Sequence, residues 1–118
     1  GVDLLQMLSQ GESYVRAFLP FMSHVFGRLA TFPKPIVAAV NGHAIAGGAI
    51  LMLACDQRIL AQGKAKIGLS EVLVGVTFPA WAIEIARFAL PTPTFATAVC
   101  SGRSYSASEA LARGFVDE

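Results

Sequence analysis

The sequence predicts an α/β fold, and three observations carry that expectation. Ile36 to Val40 (IVAAV) is a short β-branched run set between Pro33-Lys34-Pro35 and Asn41-Gly42, the signature of a buried strand. Arg58 to Ala61 (RILA) is a second such run, separated from the first by a glycine-opened, helix-prone stretch. Apolar residues before the first run recur with the 3.6 period of a helix, so strands and helices alternate along the chain.

Taken in order, Asp3 is a helix N-cap with Gln6 three positions later, and Gly11 is the expected stop. From Ser13, residues Val15, Phe18, Leu19, Met22, Val25, Phe26 and Leu29 form one apolar stripe. Pro20 falls inside it and is expected to kink that helix or mark its first turn. Ile36–Val40 is apolar on both faces, as in a parallel sheet. Asn41-Gly42 turns the chain, and Gly47-Gly48 opens a helix to about Ala54. After strand Arg58–Ala61 and a loop at Gly63–Lys66, Ile67–Glu71 is a short extended or turn segment. Thr77 is expected to cap a helix entered through Pro79 and running Ala80–Leu90, with Pro91 and Pro93 as its stop. A further helix, Thr94–Ser101, closes at Gly102. Ser106 and Glu109 form a full capping box for a helix ended by Gly114, and Phe115–Glu118 reads as the start of a strand.

The chain has 118 residues, enough for one core, with 54% hydrophobic and only 14% charged residues. Its net charge of +1 provides neither the basic stripe of a nucleic-acid module nor attraction to an anionic membrane. Disorder is excluded by the same apolar content. Ile36–Cys55 has the length of a membrane span, but Asn41-Gly42-His43 and Gly47-Gly48 divide it into a strand and a helix. Cys55 and Cys100 are too few for a disulfide framework and have no zinc-type spacing, so both are expected as buried, reduced thiols.

The candidate chemistry is sparse. Gly42, Gly47 and Gly48 fit no phosphate-loop pattern. A Gly-Gly helix start does leave unpaired N–H groups facing outward, a setting that favours an anion or a developing oxyanion. Close helix–strand packing explains the same glycines equally well. Glu71 stands in the otherwise apolar IGLSEVLVGV, where a desolvated carboxylate has its pKa raised towards that of a general base. The competing account is a buried ion pair. Glu84 and Arg87 are spaced for an exposed ion pair. His43 and Asp56 read as structural hydrogen-bonding residues, while Ser70 and Ser101 have no identifiable partner.

KPIVAAVNGHAIAGGAILMLACDQRILA, then KIGLSEVLVGV, then SGRSYSASEALARGFVDE together resemble the crotonase superfamily of enoyl-CoA hydratases and isomerases along the whole chain. The resemblance implies a crotonase-like spiral of ββα units, with residues 1–118 the central portion of a single such domain. Strands before Gly1 and helices after Glu118 are then expected, and the 118-residue piece alone is expected neither to fold stably nor to catalyse. It also implies an acyl-CoA substrate, with coenzyme A carried as part of that substrate, no separate cofactor and no metal. A homotrimer or dimer of trimers is implied as well. The expected compartment is the cytoplasm, with mitochondrion and peroxisome left open.

The family holds the thioester oxygen on two backbone N–H groups, and these match Val2 and Gly47. Gly48 supports that helix start. Hydratases of the family use two glutamates: the second matches Glu71, whereas Ile50 stands where the first belongs. A lone carboxylate implies Δ3-Δ2-enoyl-CoA isomerisation. Phe78-Pro79-Ala80-Trp81 replaces the glycine-rich run of typical hydratases, making Trp81 either an aromatic wall of the site or core packing. Hydratase or another crotonase-type reaction, with a second acid from a segment outside this chain, and a non-catalytic acyl-CoA-binding protein, are the alternatives.

Overall fold

A computed structural model describes residues 2–118. Helix α1 (Leu4–Ala30) starts at Asp3, whose Oδ1 accepts the Gln6 N–H at 3.0 Å. Its one departure from helical dihedrals is Gly11 (φ 75°, ψ −171°), where a stop was expected. Glycine adopts that conformation without a Cβ clash. Pro20 lies well inside the helix, so the first-turn expectation is corrected, and its dihedrals stay helical. A proline there removes one N–H, and the packing of α1 on the helices below outweighs that loss.

Strand β1 (Val37–Val40) pairs in parallel with β3 (Gln57–Leu60), Val37 opposite Gln57 and Val40 opposite Leu60. β2 (Ala44–Ile45) pairs in parallel with β4 (Ile67–Gly68), which pairs antiparallel with β5 (Ser104–Tyr105). The strand arrangement is therefore mixed, and β2 and β5 were too short to register as periodic patterns. β1 is not buried on both faces as expected: Val37 is 56% exposed, and β3 is its only strand neighbour among the described residues.

Helix α2 (Gly47–Leu53) follows β2 with a single intervening residue, Ala46. α3 (Ala80–Ala89), α4 (Thr92–Ser101) and α5 (Ala107–Ala112) complete the layer flanking the strands. Pro79, not Thr77, caps α3, and it does so without a side-chain hydrogen bond. Pro91 ends that helix, but Pro93 lies within the first turn of α4, a position where proline forfeits no helical hydrogen bond. Gly102 closes α4 in the left-handed conformation (φ 64°). α5 carries the expected capping box: Ser106 N–H donates to Glu109 Oε2 at 2.9 Å while Ser106 Oγ accepts the Glu109 N–H.

Phe115–Glu118 forms no regular strand but lies along β3, with Asp117 N–H donating to Arg58 O and Leu60 N–H to Glu118 O. Tyr105 and Phe115, both fully buried, pack with ring centroids 5.2 Å apart. The core joins α2 (Ala49, Ile50, Met52, Leu53), α3 (Ala82, Ile85, Ala86), Phe26 of α1, and Ile67 and Leu69 around β4. The two thiols are free, as expected, but not buried: Cys55 is half-buried and Cys100 exposed. Cys100 lies two residues beyond the buried Ala98 and so faces away from the core side of α4. Among the described residues, no helix is long and apolar enough to cross a membrane.

Candidate active site

Parallel pairing of β2 with β4, with Ile45 opposite Gly68, sets where the chemistry-bearing residues meet. Both strands end on the same side. Beyond β2 the chain enters α2 at Gly47, and beyond β4 it enters a 3-10 turn, Glu71–Val74. Open α/β structures bind ligands outside the carboxyl ends of their parallel strands. Here that region holds a cavity of about 230 Å³ whose wall includes Val2, Gly47, Ile50 and Glu71. Four residues scattered over 70 positions of sequence thus share one space.

Glu71 is 8% exposed, and its Oε2 is fully buried without a hydrogen-bond partner among the described residues. Among the described residues Glu71 forms no ion pair, contrary to the competing account. Burial pushes the Glu71 carboxyl above the ordinary carboxylate range, opposed only in part by its own backbone N–H. Around it the wall is apolar: Met22 and Phe26 from α1, Val74 at the end of the turn and Val76 after it, Pro79 and Ala82 at the start of α3. The Ser70 and Thr77 hydroxyls are its other polar side chains. Ile50, fully buried, lies in the same wall, so no second carboxylate stands there.

Gly47 is the first residue of α2, a position whose N–H has no carbonyl within the helix to pair with. Gly48 lies beside it, in the wall of a neighbouring apolar groove. Sequence reasoning missed Ala46. Its dihedrals (φ 53°, ψ −125°) lie where an alanine is strained, at a cost of roughly 1–3 kcal/mol. They arise because strand passes to helix through this residue alone. Two bonds hold it, Ala46 N–H to Gly68 O at 2.9 Å and Ile50 N–H to Ala46 O at 3.1 Å. Nothing in the sequence marks it, since alanine ordinarily signals neither a turn nor strain.

Trp81 does not line this cavity, and at 43% exposed it is not core packing either, so neither of its two expected places is the one it takes. Pro79 and Ala82, three residues apart, face Glu71. Trp81, Glu84, Ile85 and Phe88 of α3 line a separate cavity of about 580 Å³. The charged groups of that larger space are already engaged: Asp56 Oδ2 accepts the Ile36 N–H at 2.7 Å, Arg58 pairs with Asp117 at 2.8 Å, and Glu84 pairs with Arg87 at 3.6 Å. His43 is likewise structural, its Nδ1 accepting the Lys66 N–H at 3.0 Å. Among the described residues no cluster of His, Cys, Asp and Glu has the makings of a metal site.

Fold and cavity together define an α/β protein with a glycine-started helix and a single buried carboxylate at the carboxyl ends of its parallel strands. The sequence pattern of the enoyl-CoA hydratase/isomerase family matches residues 1–118, and the chain belongs to that family, the crotonase superfamily of enzymes. It is 34% identical to the mitochondrial enoyl-CoA delta isomerase 1 of Mus musculus, over 100% of this chain and 41% of that protein. It is 32% identical to an enoyl-CoA isomerase/hydratase of Mycosarcoma maydis, over 99% of this chain and 43% of that one. A solved enoyl-CoA hydratase/isomerase family protein from Pseudomonas syringae superimposes with a TM-score of 0.87 at 34% identity, covering 96% of this chain and 49% of its own. An enoyl-CoA hydratase from Mycobacterium ulcerans gives 0.85 at 35% identity, covering 97% and 50%. The chain thus spans less than half the length of those two curated relatives.

Proposed function

We propose that the protein isomerises 3-enoyl-CoA thioesters to 2-enoyl-CoA thioesters, with Glu71 as its one acid/base. The observation that carries this reading is the buried Glu71 carboxyl, whose Oε2 has no hydrogen-bond partner among the described residues, in a cavity whose wall also holds Ile50. In the proposed reaction Glu71 removes a proton from C2, the C–H electron pair forms a C1=C2 double bond as the carbonyl pair moves onto the thioester oxygen, and the dienolate then collapses to a C2=C3 double bond as C4 takes the proton back from Glu71. The thioester oxygen, negative in the intermediate, is held by the N–H groups of Val2 and Gly47, with Gly48 supporting the helix start. Amide donors in an apolar cavity stabilise such charge strongly, because they need no reorganisation and little water screens them. No charge need be imported: the base is anionic, the substrate carbonyl is neutral, and one negative charge is passed between them.

The resemblance to the mouse delta isomerase supports this reading, and the likeness to the hydratase from M. ulcerans supports the alternative of enoyl-CoA hydration. Hydration needs a second group to protonate or place water, and among the described residues no second carboxylate lines the cavity. Residues 1–118 are, on the same reading, the central portion of one crotonase-like domain that works as a homotrimer or dimer of trimers. The test uses the full-length protein. It is expected to convert 3-enoyl-CoA to 2-enoyl-CoA and to hydrate crotonyl-CoA far more slowly, with both rates lost in Glu71→Gln. Hydration as fast as isomerisation would replace the proposal with the alternative. Acyl-CoA binding without turnover of either substrate would assign a binding role instead.

A further inference from the structure

Trp81 takes a place that neither the Glu71 cavity nor the core accounts for. Its indole lies against Gly27 of α1: a Cβ at position 27 would stand 2.7 Å from Trp81 Nε1 and 2.8 Å from Cε2. Only a residue without a side chain lets the ring come so close to that helix. The sequence neighbours of this pair are both buried and both line the Glu71 cavity, Phe26 beside Gly27 and Ala82 beside Trp81. Met22 and Pro79 extend the same two walls. The contact between Trp81 and Gly27 therefore lies just behind the cavity, where α1 meets α3. The indole also borders the larger cavity of about 580 Å³, which leaves it room to swing away from α1 when displaced.

The geometry points to Trp81 as a positioning residue for Glu71: its indole, seated on Gly27, holds α1 and α3 at the separation that keeps the cavity narrow and closed to water. The inference rests on the acid/base reading of Glu71 and goes beyond it, since Trp81 touches no reacting atom. A flat, rigid ring is a spacer of fixed thickness, and close-packed interiors transmit a change of spacing instead of absorbing it. Glu71 is the one titratable side chain in the cavity wall among the described residues, and no hydrogen bond among them holds its Oε2. Its basicity thus depends on how dry the surrounding walls keep it. Phe26 and Ala82, the wall residues next to the Gly27–Trp81 contact, supply that dryness. The charged groups on the Trp81 side, Asp56, Arg58 and Glu84, are each bonded to other partners, so the coupling runs through packing.

The experiment compares full-length wild type, Trp81→Ala, Trp81→Phe and Gly27→Ala, each under conditions where circular dichroism shows it folded. Trp81→Ala is expected to lower kcat for 3-enoyl-CoA isomerisation by roughly 10- to 100-fold, the scale of loss for a group misplaced by about 1 Å. The acid limb of kcat/KM is expected to move down towards the ordinary carboxylate range as water reaches Glu71. Gly27→Ala, whose methyl group drives the ring towards the larger cavity, is expected to act in the same direction. Trp81→Phe keeps a ring on Gly27 and is expected to retain most of the rate and the acid limb. An unchanged kcat and acid limb in Trp81→Ala, or a phenylalanine that rescues no better than alanine, overturns the inference and leaves Trp81 a packing residue. Should Trp81→Ala not fold, Gly27→Ala and Trp81→Phe decide by the same criteria. Absence of isomerisation in wild type would instead remove the isomerase reading. The titration of Glu71 is then read without substrate, from urea midpoints across pH of each background with and without Glu71→Gln. A titration shifted down by Trp81→Ala or Gly27→Ala supports the inference, and one unchanged in both overturns it.

Discussion

Gly68 lies directly against the backbone of Arg103: a Cβ at position 68 would stand 2.7 Å from the Arg103 carbonyl oxygen and 3.0 Å from Ser104 Cα. β4 and β5 can approach this closely only because residue 68 has no side chain. The same glycine accepts the Ala46 N–H at 2.9 Å and precedes Glu71 by three residues. It therefore joins the start of α2 to the segment carrying the carboxylate. Gly68→Ala is expected to destabilise the fold by about 1–3 kcal/mol, because backbone cannot yield as a flexible side chain would. Activity is expected to fall beyond what the lost folded fraction explains. Urea unfolding of the full-length protein, with turnover measured where both variants are fully folded, checks both effects.

Glu71 must be ionised to remove a proton, and its folded pKa is raised. The acid limb of kcat/KM is therefore expected above the usual glutamate range of about 4.3. The rate falls as pH drops through that raised value. Glu71→Gln is expected to lose the limb along with roughly 10²–10⁴ of the rate. A pH–rate profile with its acid limb in the ordinary carboxylate range would show that the base is another group.

The same shift has a stability consequence of opposite sense. A carboxyl with a raised folded pKa binds its proton more readily in the native state than in the unfolded one. Its contribution is fully present below the unfolded pKa and is lost as pH rises through the folded value. Wild-type protein is thus expected to lose stability relative to Glu71→Gln across that interval. At neutral pH the inactive variant is expected to be the more stable of the two. Urea midpoints of both proteins across a pH series measure the difference.

Asp117 anchors the end of the described chain to β3. One oxygen accepts the Arg58 backbone N–H at 2.8 Å, and the carboxylate takes two guanidinium bonds at 2.8 and 3.1 Å. The Arg58 side chain is 11% exposed, so Asp117→Ala leaves an almost buried cation without its partner. A loss of about 2 kcal/mol is expected. The Arg58 hydrogen bond holds Asp117 below its ordinary pKa. This stabilisation is therefore present above the unfolded pKa and disappears as pH falls through the folded one. Wild type and Asp117→Ala should converge in thermal stability at acidic pH.

Local chemistry made much of this protein legible without coordinates. The Asp3 cap, the Ser106–Glu109 box and the glycine stops at 102 and 114 act within a few residues, so their effect is written in those residues. Glu71 stood out because a carboxylate in an apolar run is unusual, and the helix opened by Gly47 stood out by its paired glycines. Other features belong to partners far apart in sequence. β2 and β5 are two residues each and exist only through pairing with β4. Trp81 read equally well as a wall of the site or as core packing, and the rotation of α3 placed Ala82, its neighbour, on the Glu71 side instead. The strain at Ala46 comes from the distance between the end of β2 and the start of α2, which no propensity of alanine records. Sequence by itself determined the helices, the strands around residues 37–40 and 57–60, the carboxylate in its apolar run and the absence of a second one at position 50. Only the tertiary structure decided that Val2, Gly47, Ile50 and Glu71 share one cavity. The reason is physical: caps and turns are satisfied locally, whereas a cavity is made by the parallel pairing of strands that are remote in the chain.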